Sequence, residues 1–282
     1  HNLFGLEKRA KCLPDLPKTG KYLYFTGCYT SYLLPRIGYV NAELLKKGGL
    51  DVCHLGEEEF CCGEVARQGG NIELFRKIAK ENIEKVKATG ADTVICSCAH
   101  CYKTWSKDYP WVLQEELPFK VVHVMDVLKE LLDSGALKPE VPVNKTVTYH
   151  DPCFLPGINA YVTSPEDVVP NKHEAARDIL AQIPGLKLNE MDRHGRWSYC
   201  CGAGAKIALN CYPDYAEATG AERIKEAKAA ADEVITACPV CYNQMRFSAN
   251  TEDVDIEVED ISILLAKSLG MDTDYNETKG VV

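Results

Sequence analysis

The stretch Thr93-Val94-Ile95-Cys96-Ser97-Cys98-Ala99-His100-Cys101 decides the fold. Its first half is a short apolar run with β-branched residues, which reads as a buried strand, and it leads straight into a C-x-x-C. The chain repeats the arrangement at Glu233-Val234-Ile235-Thr236-Ala237-Cys238-Pro239-Val240-Cys241. Upstream of each copy stands a Cys-Cys-Gly: Cys61-Cys62-Gly63 lies 35 residues before Cys98, and Cys200-Cys201-Gly202 lies 36 before Cys238. A single cysteine opens each set, Cys28 in one half and Cys153 in the other. Ten of the 14 cysteines therefore fall into one five-cysteine pattern used twice, a spacing that scattered structural cysteines would not reproduce.

The repeat extends beyond the cysteines. Residues 22–26 form a short apolar run ending at Gly27-Cys28, and their counterpart 146–150 ends at Cys153. Each is followed by a helical pattern, 36–47 or 172–182, closed by Gly48-Gly49 or Pro184-Gly185. Second strands are expected at 51–55 and 186–191. A long helix follows at 71–89, with Ile72, Phe75, Ile78, Ala79, Ile83 and Val86 near one face, and again at 213–231 with smaller residues. After the last cysteine of each set, strands at 121–124 and 255–258 lead into helices at 125–134 and 260–269. Alternating strands and helices imply right-handed βαβ units with parallel sheets, whose carboxyl ends would carry the cysteines. The expected fold class is α/β: two tandem, pseudo-symmetric Rossmann-like domains with parallel sheets and flanking helices. Pro139 and Pro142 interrupt both periodicities, so the expected division is 1–20 as a linker, 21–137 as the first domain and 138–282 as the second.

Composition bounds the function. The 282 residues, 46% of them hydrophobic, suffice for cores in two ordinary domains. A net charge of −9 without a basic stripe argues against nucleic acid or an anionic membrane surface as partner. So many cysteines suit either a secreted disulfide scaffold or a metal protein of a reducing compartment, and the long helical patterns favour the second. No apolar run reaches the roughly 18 residues of a membrane span, and no signal peptide opens the chain. The expected location is the cytoplasm, with any membrane association through a partner subunit. Because the chain starts at His1 and not Met, a segment upstream is expected.

Clustered thiolates suit zinc, copper(I) or iron–sulfur clusters. Each Cys-Cys-Gly and C-x-x-C falls between a strand and a helix start, where free N–H groups stabilise thiolates and an anionic cluster. Gly63 and Gly202 would allow a sharp turn and close approach to the inorganic core. Neighbouring side chains in an extended segment point apart, so adjacent cysteines reaching one site imply a kinked backbone and a multi-atom target. A structural zinc takes four ligands, and each repeat here supplies five. Cubane ferredoxin motifs also use four, at compact spacings absent from this chain. An unusual iron–sulfur cluster fits best.

Together with Tyr24-Phe25-Thr26-Gly27-Cys28, Ser97-Cys98-Ala99-His100-Cys101-Tyr102 and Tyr149-His150-Asp151-Pro152-Cys153, this pattern resembles the CCG cysteine-rich domain proteins. The B and D subunits of heterodisulfide reductase typify them, and the local wording is closest to the D branch and to K-type subunits of sulfite-reduction membrane complexes. The resemblance covers about residues 22–269. It implies two noncubane [4Fe-4S] clusters, one held by Cys28, Cys61, Cys62, Cys98 and Cys101, the other by Cys153, Cys200, Cys201, Cys238 and Cys241. It further implies that the cysteines act catalytically through those clusters, in anaerobic metabolism, on a disulfide or thiol substrate, each substrate sulfur being captured by an iron. Implied partners are a ferredoxin-type module or subunit ahead of residue 1, joined by a segment that Asn2-Leu3-Phe4-Gly5 resembles, and a flavoprotein or cytochrome b subunit. The pattern departs from the family in the first spacer of the second repeat, 46 residues against 32 in the first, with the extra length in 154–172 expected as a surface insertion.

Cys96, Cys53 and Cys211 read as buried structural thiols and Cys12 as a linker residue without a role. His100, His150 and Asp151 are candidates to hydrogen-bond cluster sulfurs or supply protons, against a merely positional role. Arg193, His194 and Arg196 read as a solvated loop or as neutralisers of nearby negative charge. Three functions stay open: a thiol-disulfide oxidoreductase subunit of heterodisulfide reductase type, an electron-relay subunit of a 2-hydroxyacid or flavoprotein-linked quinone oxidoreductase, and a zinc-binding structural or redox-sensing module.

Overall fold

The computed structural model describes residues 15–155, 174–204 and 211–274. They fall into two compact units, one reaching to Leu137 and joined by Asp272–Asp274, the other within Lys138–Met271. Arg36 fixes the returning segment, its Nε donating to the carbonyl of Thr273 at 2.8 Å. The linker expected at 1–20 lies outside the described residues up to 14, as do Cys12, most of the 154–172 insertion and the first residues of the helix expected at 172–182.

In the first unit the order is β1 Tyr22–Phe25, α1 Cys28–Tyr32, α2 Pro35–Lys47, β2 Val52–Cys53, α3 Glu64–Gln68, α4 Ile72–Thr89, β3 Thr93–Cys96, α5 Ala99–Lys103, a π-helical turn Thr104–Asp108, α6 Tyr109–Leu113, β4 Lys120–His123 and α7 Val124–Asp133. The four strands form one parallel sheet, β2-β1-β3-β4. Tyr22 pairs with both Val52 and Thr93, and Phe25 with Cys96. Leu23, Tyr24, Phe25, Val94 and Ile95 are wholly buried, as central strands covered on both faces require. The helix α4 starts where the Asn71 side chain accepts the N–H of Leu74 at 3.1 Å.

The second unit repeats this plan: β5 Thr146–His150, α8 Glu174–Ala181, β6 Lys187–Leu188, a 3-10 turn Gly195–Trp197, α9 Pro213–Ala230, β7 Glu233–Thr236, α10 Pro239–Thr251, β8 Glu257–Asp260 and α11 Ile261–Ser268. Its sheet is β6-β5-β7-β8, again parallel throughout. The α/β class and the parallel sheets with flanking helices are thus as the sequence predicts.

Several details differ from expectation, among them β6, which spans only Lys187–Leu188 of the expected 186–191. The edge strand β2 is two residues long because the chain peels away at once: the N–H of His54 bonds to the Pro17 carbonyl, and its ring Nδ1 accepts from the Gly56 N–H. The strand β8 begins two residues later than expected, since Val254 still bonds back to Ala249 at the end of α10 and the ladder starts at Glu257. One continuous helix follows the second C-x-x-C, whereas α5, the π turn and α6 follow the first. Pro110, near the start of α6, has no N–H for the preceding turn, and a proline crowds the carbonyl four residues back, which fits a local change of helical pitch. A buried ion pair, Lys103 Nζ to Asp108 Oδ1 at 2.8 Å, ties the ends of that turn. Among the described residues no helix is long and apolar enough to cross a membrane.

Candidate metal centre

In the first unit the cysteines gather at the carboxyl ends of β1 and β3. Cys28 opens α1 directly after Gly27, and a Cβ on Gly27 would stand 3.1 Å from the Cys101 sulfur, so the two segments touch. The loop ahead of Cys28 is held by Glu59, a buried carboxylate that accepts the N–H groups of Thr26 and Gly27, both at 2.9 Å. Cys98 is the N-cap of α5 and Cys101 lies in its first turn. The thiol of Cys101 is pushed well up by hydrogen bonds to Cys62 and Cys98, with burial adding to the effect.

The Cys-Cys-Gly turn explains how adjacent cysteines serve one site. Gly63 has φ 81°, the left-handed region that side chains resist, and its N–H points back at the Cys61 sulfur at 3.4 Å. Asn82 of α4 donates to the Cys61 carbonyl at 3.0 Å, while the Tyr109 hydroxyl donates to the Cys62 carbonyl at 2.8 Å. The backbone is therefore gripped through its carbonyls, and the thiols are left for the site.

The second unit builds the same turn. Gly202 has φ 93° and its N–H reaches the Cys200 sulfur at 3.3 Å. A Cβ there would lie 2.3 Å from the Ala216 carbonyl oxygen, so the turn sits directly on the backbone of α9. Cys238 caps α10, and the sulfurs of Cys201 and Cys241 are 3.4 Å apart. Hydrogen bonds from Cys153 and Cys201 outweigh burial and push the Cys200 thiol down to about 2, helped by the Gly202 N–H. The same hydrogen bond, with burial, raises Cys153; Cys201 is raised by its hydrogen bond to Cys200 and by burial, against a lowering bond to Cys241, and Cys241 is raised by Cys201, Cys238 and burial. Closely packed thiols ionise together only where a cation compensates their charge. No disulfide joins any of the described cysteines, even the pair 3.4 Å apart. Closely packed thiols of this kind suit a sulfur-ligated metal centre.

A profile of the cysteine-rich domain, CCG, matches residues 22–105 and 147–246, one match in each unit. The chain belongs to the CCG cysteine-rich domain family. It is 35% identical over 283 residues to the D subunit of the dihydromethanophenazine:CoB–CoM heterodisulfide reductase of Methanosarcina acetivorans, covering 97% of this chain and 66% of that one. The Methanosarcina mazei counterpart is 38% identical over 255 residues, covering 89% of this chain and 59% of the relative. An EtfAB:quinone oxidoreductase of Syntrophomonas wolfei is 27% identical, covering 94% of this chain and 37% of that one. The chain thus spans about two thirds or less of these relatives' length. Among solved structures, a hypothetical protein from Helicobacter pylori matches 98% of this chain and 53% of its own at a TM-score of 0.57 and 14% identity, a likeness of fold.

The CCG repeats surround their cysteines with different polar residues. His100 is buried with Nδ1 3.3 Å from Glu64 Oε2. The Asp151 carboxylate is engaged by Arg177, at 2.7 and 3.0 Å, and by the Gly195 N–H at 2.8 Å, which makes it a brace for the loop ahead of Cys153. His150 Nδ1 accepts from Arg223 Nε at 3.0 Å; burial, and then the Arg223 charge, hold its pKa well below the ordinary value. A ring nitrogen of His150 and the sulfurs of Cys201 and Cys241 all lie within 4.8 Å of one another, and all three residues are buried. Arg193 lies 4.1 Å from the Tyr199 ring centroid and pairs with Glu222 and Glu226, so it is tied down more firmly than a solvated loop residue. His194 Nδ1 lies 2.6 Å from the Met191 carbonyl, and Arg196 stacks near Trp197 at 5.1 Å.

Cys53 and Cys96 are buried as expected, but Cys211 is exposed. It precedes α9, whose core face begins at Ala216. Glu59, Asn82, Arg177 and Arg223 escape the sequence reading. For Arg223 a signal exists: it falls on the stripe Ala216, Gly220, Arg223, Ala227, where α9 otherwise turns small residues to the core.

Proposed function

We propose that this chain is the iron–sulfur oxidoreductase subunit of a heterodisulfide reductase type complex. Cys28, Cys61, Cys62, Cys98 and Cys101 hold one noncubane [4Fe-4S] cluster in the first unit, and Cys153, Cys200, Cys201, Cys238 and Cys241 hold another in the second. The observation that carries this reading is the pair of complete five-thiol sets, each with its Cys-Cys-Gly turn and capped C-x-x-C at a sheet's carboxyl end. Iron–sulfur clusters, when bound, supply one-electron steps and iron atoms with affinity for sulfur. The chain's own residues position them: Gly63 and Gly202 direct N–H groups at ligand sulfurs, Glu59 and Asp151 fix the loops before the opening cysteines, and His100 and His150 line the two sets. A disulfide is the substrate, or thiols in the reverse direction. The similarity to the D subunits of heterodisulfide reductases and to an EtfAB:quinone oxidoreductase supports a place among partner subunits: a ferredoxin-type module and a flavoprotein or cytochrome b subunit. Residues 1–20 act as the tether to the former, and any membrane association runs through a partner.

The likeness to the EtfAB:quinone oxidoreductase also favours a second reading, a relay that passes electrons without binding a disulfide. Anaerobically prepared protein should contain iron and acid-labile sulfide in equal amounts, with about half lost in Cys62→Ser and in Cys201→Ser. Titration of the oxidised protein with small thiols, coenzyme M among them, should produce a thiol-dependent paramagnetic signal. A colourless protein with stoichiometric zinc overturns the cluster assignment, and iron–sulfur protein with no response to any thiol leaves the relay.

A further inference from the structure

The two cysteine sets sit on the same scaffold but face different neighbours. Phe25 is the last residue of β1 and stands three before Cys28; His150 is the last residue of β5 and stands three before Cys153. The register confirms the equivalence, since Phe25 pairs with Cys96 and His150 with Thr236, each the final residue of its strand. On the long helix, Ile72–Thr89 in the first unit and Pro213–Ala230 in the second, Asn82 and Arg223 hold the same position counted from the first residue. A buried phenylalanine and a buried neutral asparagine in the first unit are thus replaced by a buried histidine and arginine in the second.

That replacement fixes a hydrogen-bond direction. Arg223 has no exposed surface, and its guanidinium is used throughout: Nε to His150, Nη1 to the Arg193 carbonyl and Glu226 Oε2, both at 2.9 Å, and Nη2 to Ser198 Oγ at 3.2 Å. A guanidinium only donates and keeps its proton, so His150 Nδ1 must be the acceptor and the ring proton must sit on Nε2. Here chemistry sets the tautomer. His150 Nε2 is buried without a hydrogen-bond partner among the described residues, and the ring lies beside the sulfurs of Cys201 and Cys241. A buried donor with no acceptor among the described residues, on a ring that has one nitrogen within 4.8 Å of two sulfurs, is placed for a sulfur of a bound cluster.

We propose that Arg223 is a positioning residue that holds His150 as an Nε2–H donor into the second cysteine set, and that this donor makes the iron–sulfur centre bound there easier to reduce than the first. The inference rests on the reading of both sets as cluster sites. A hydrogen bond to a cluster sulfur, backed by a fixed positive charge, stabilises the electron-rich reduced form and raises the potential. In the first unit Phe25 has no donor, and Asn82 is uncharged and spends its amide on the Cys61 carbonyl and the Tyr109 hydroxyl.

The test is a redox titration followed by electron paramagnetic resonance on the full chain, with Cys62→Ser and Cys201→Ser assigning each signal to its set. The second centre should have the higher midpoint. In His150→Phe and in Arg223→Met the second midpoint should fall by a tenfold or greater change in the oxidised-to-reduced ratio, about 59 mV for one electron, with the first unmoved. His150→Gln, which keeps a donor, should recover part of the shift. The double variant His150→Phe/Arg223→Asn copies the pair of the first unit, so it stays informative where the loss of Arg223 alone prevents folding. Equal midpoints in the parent protein, unchanged midpoints in the variants, or loss of the second centre's iron from the double variant would each overturn the proposal while leaving the cluster assignment standing. A parent protein without iron and sulfide would instead sink the functional reading beneath it.

Discussion

The loop before Cys28 and the loop before Cys153 do the same job by opposite means. In the first unit a single buried carboxylate, Glu59, takes two backbone N–H groups, and Asn82 with Tyr109 holds the Cys-Cys carbonyls through neutral hydrogen bonds. In the second, Asp151 is clamped by Arg177, which also grips Glu190 at 2.6 Å, while Arg223 and Arg193 meet on Glu226. One fold and one cysteine geometry therefore tolerate two polar supports. What must be common is the turn that aims the thiols; what holds it is open to change, provided each buried group finds a partner.

Breaking the turn should separate the units most. Gly202→Ala meets the backbone of α9, which cannot yield, and forces a left-handed φ, so a loss of more than about 4 kcal/mol is expected in the second unit. Gly63→Ala meets the side chains of Ile78 and Phe75 at 3.0 and 3.1 Å, which can shift, and should cost about 1–2 kcal/mol. Thermal unfolding of the apoprotein, with hydrogen exchange resolving each unit, distinguishes them; equal losses would sink the contrast.

Removing the supports comes next in size. Arg177→Met strands Asp151 as a buried charge and should destabilise the second unit by about 3 kcal/mol. Glu59→Gln keeps one acceptor oxygen and should cost the first unit about 1–2 kcal/mol. Denaturant titration of the two variants measures the difference, and a Glu59 effect as large as that of Arg177 would contradict it.

The smallest effect is in acid. Burial alone would raise the Glu226 carboxyl, but hydrogen bonds from Arg193 and the Arg223 charge lower it below its ordinary 4.5. The folded state then binds fewer protons than the unfolded chain, so this carboxylate's contribution is fully present above pH 4.5 and is lost as the pH falls through the lower folded value. A small part of the second unit's stability should vanish in that window, and Glu226→Gln should flatten that part of the profile. An unaltered acid profile in the variant would refute this.

Much of this was legible in the residues. Strand periodicity, helix caps and the paired glycines are local properties, and the strand–C-x-x-C unit at 93–101 appears again at 233–241, which also exposes the duplication. The two-residue β2, the late start of β8 and the π turn before Pro110 were not legible, because each depends on which backbone partner wins at an element's edge. The exposure of Cys211 depends on where α9 turns its core face, which its residue type does not reveal.

By itself, the sequence determined that two similar α/β units each present five cysteines where strands give way to helices. Spacing and periodicity along the chain are enough for that. Tertiary structure alone decided that Glu59 braces the loop before Cys28, that Arg177 braces the one before Cys153, and that Arg223 reaches His150. Those roles depend on buried charges meeting partners dozens of residues away, and a charged residue type does not announce that it is buried until the partner that compensates it is in place.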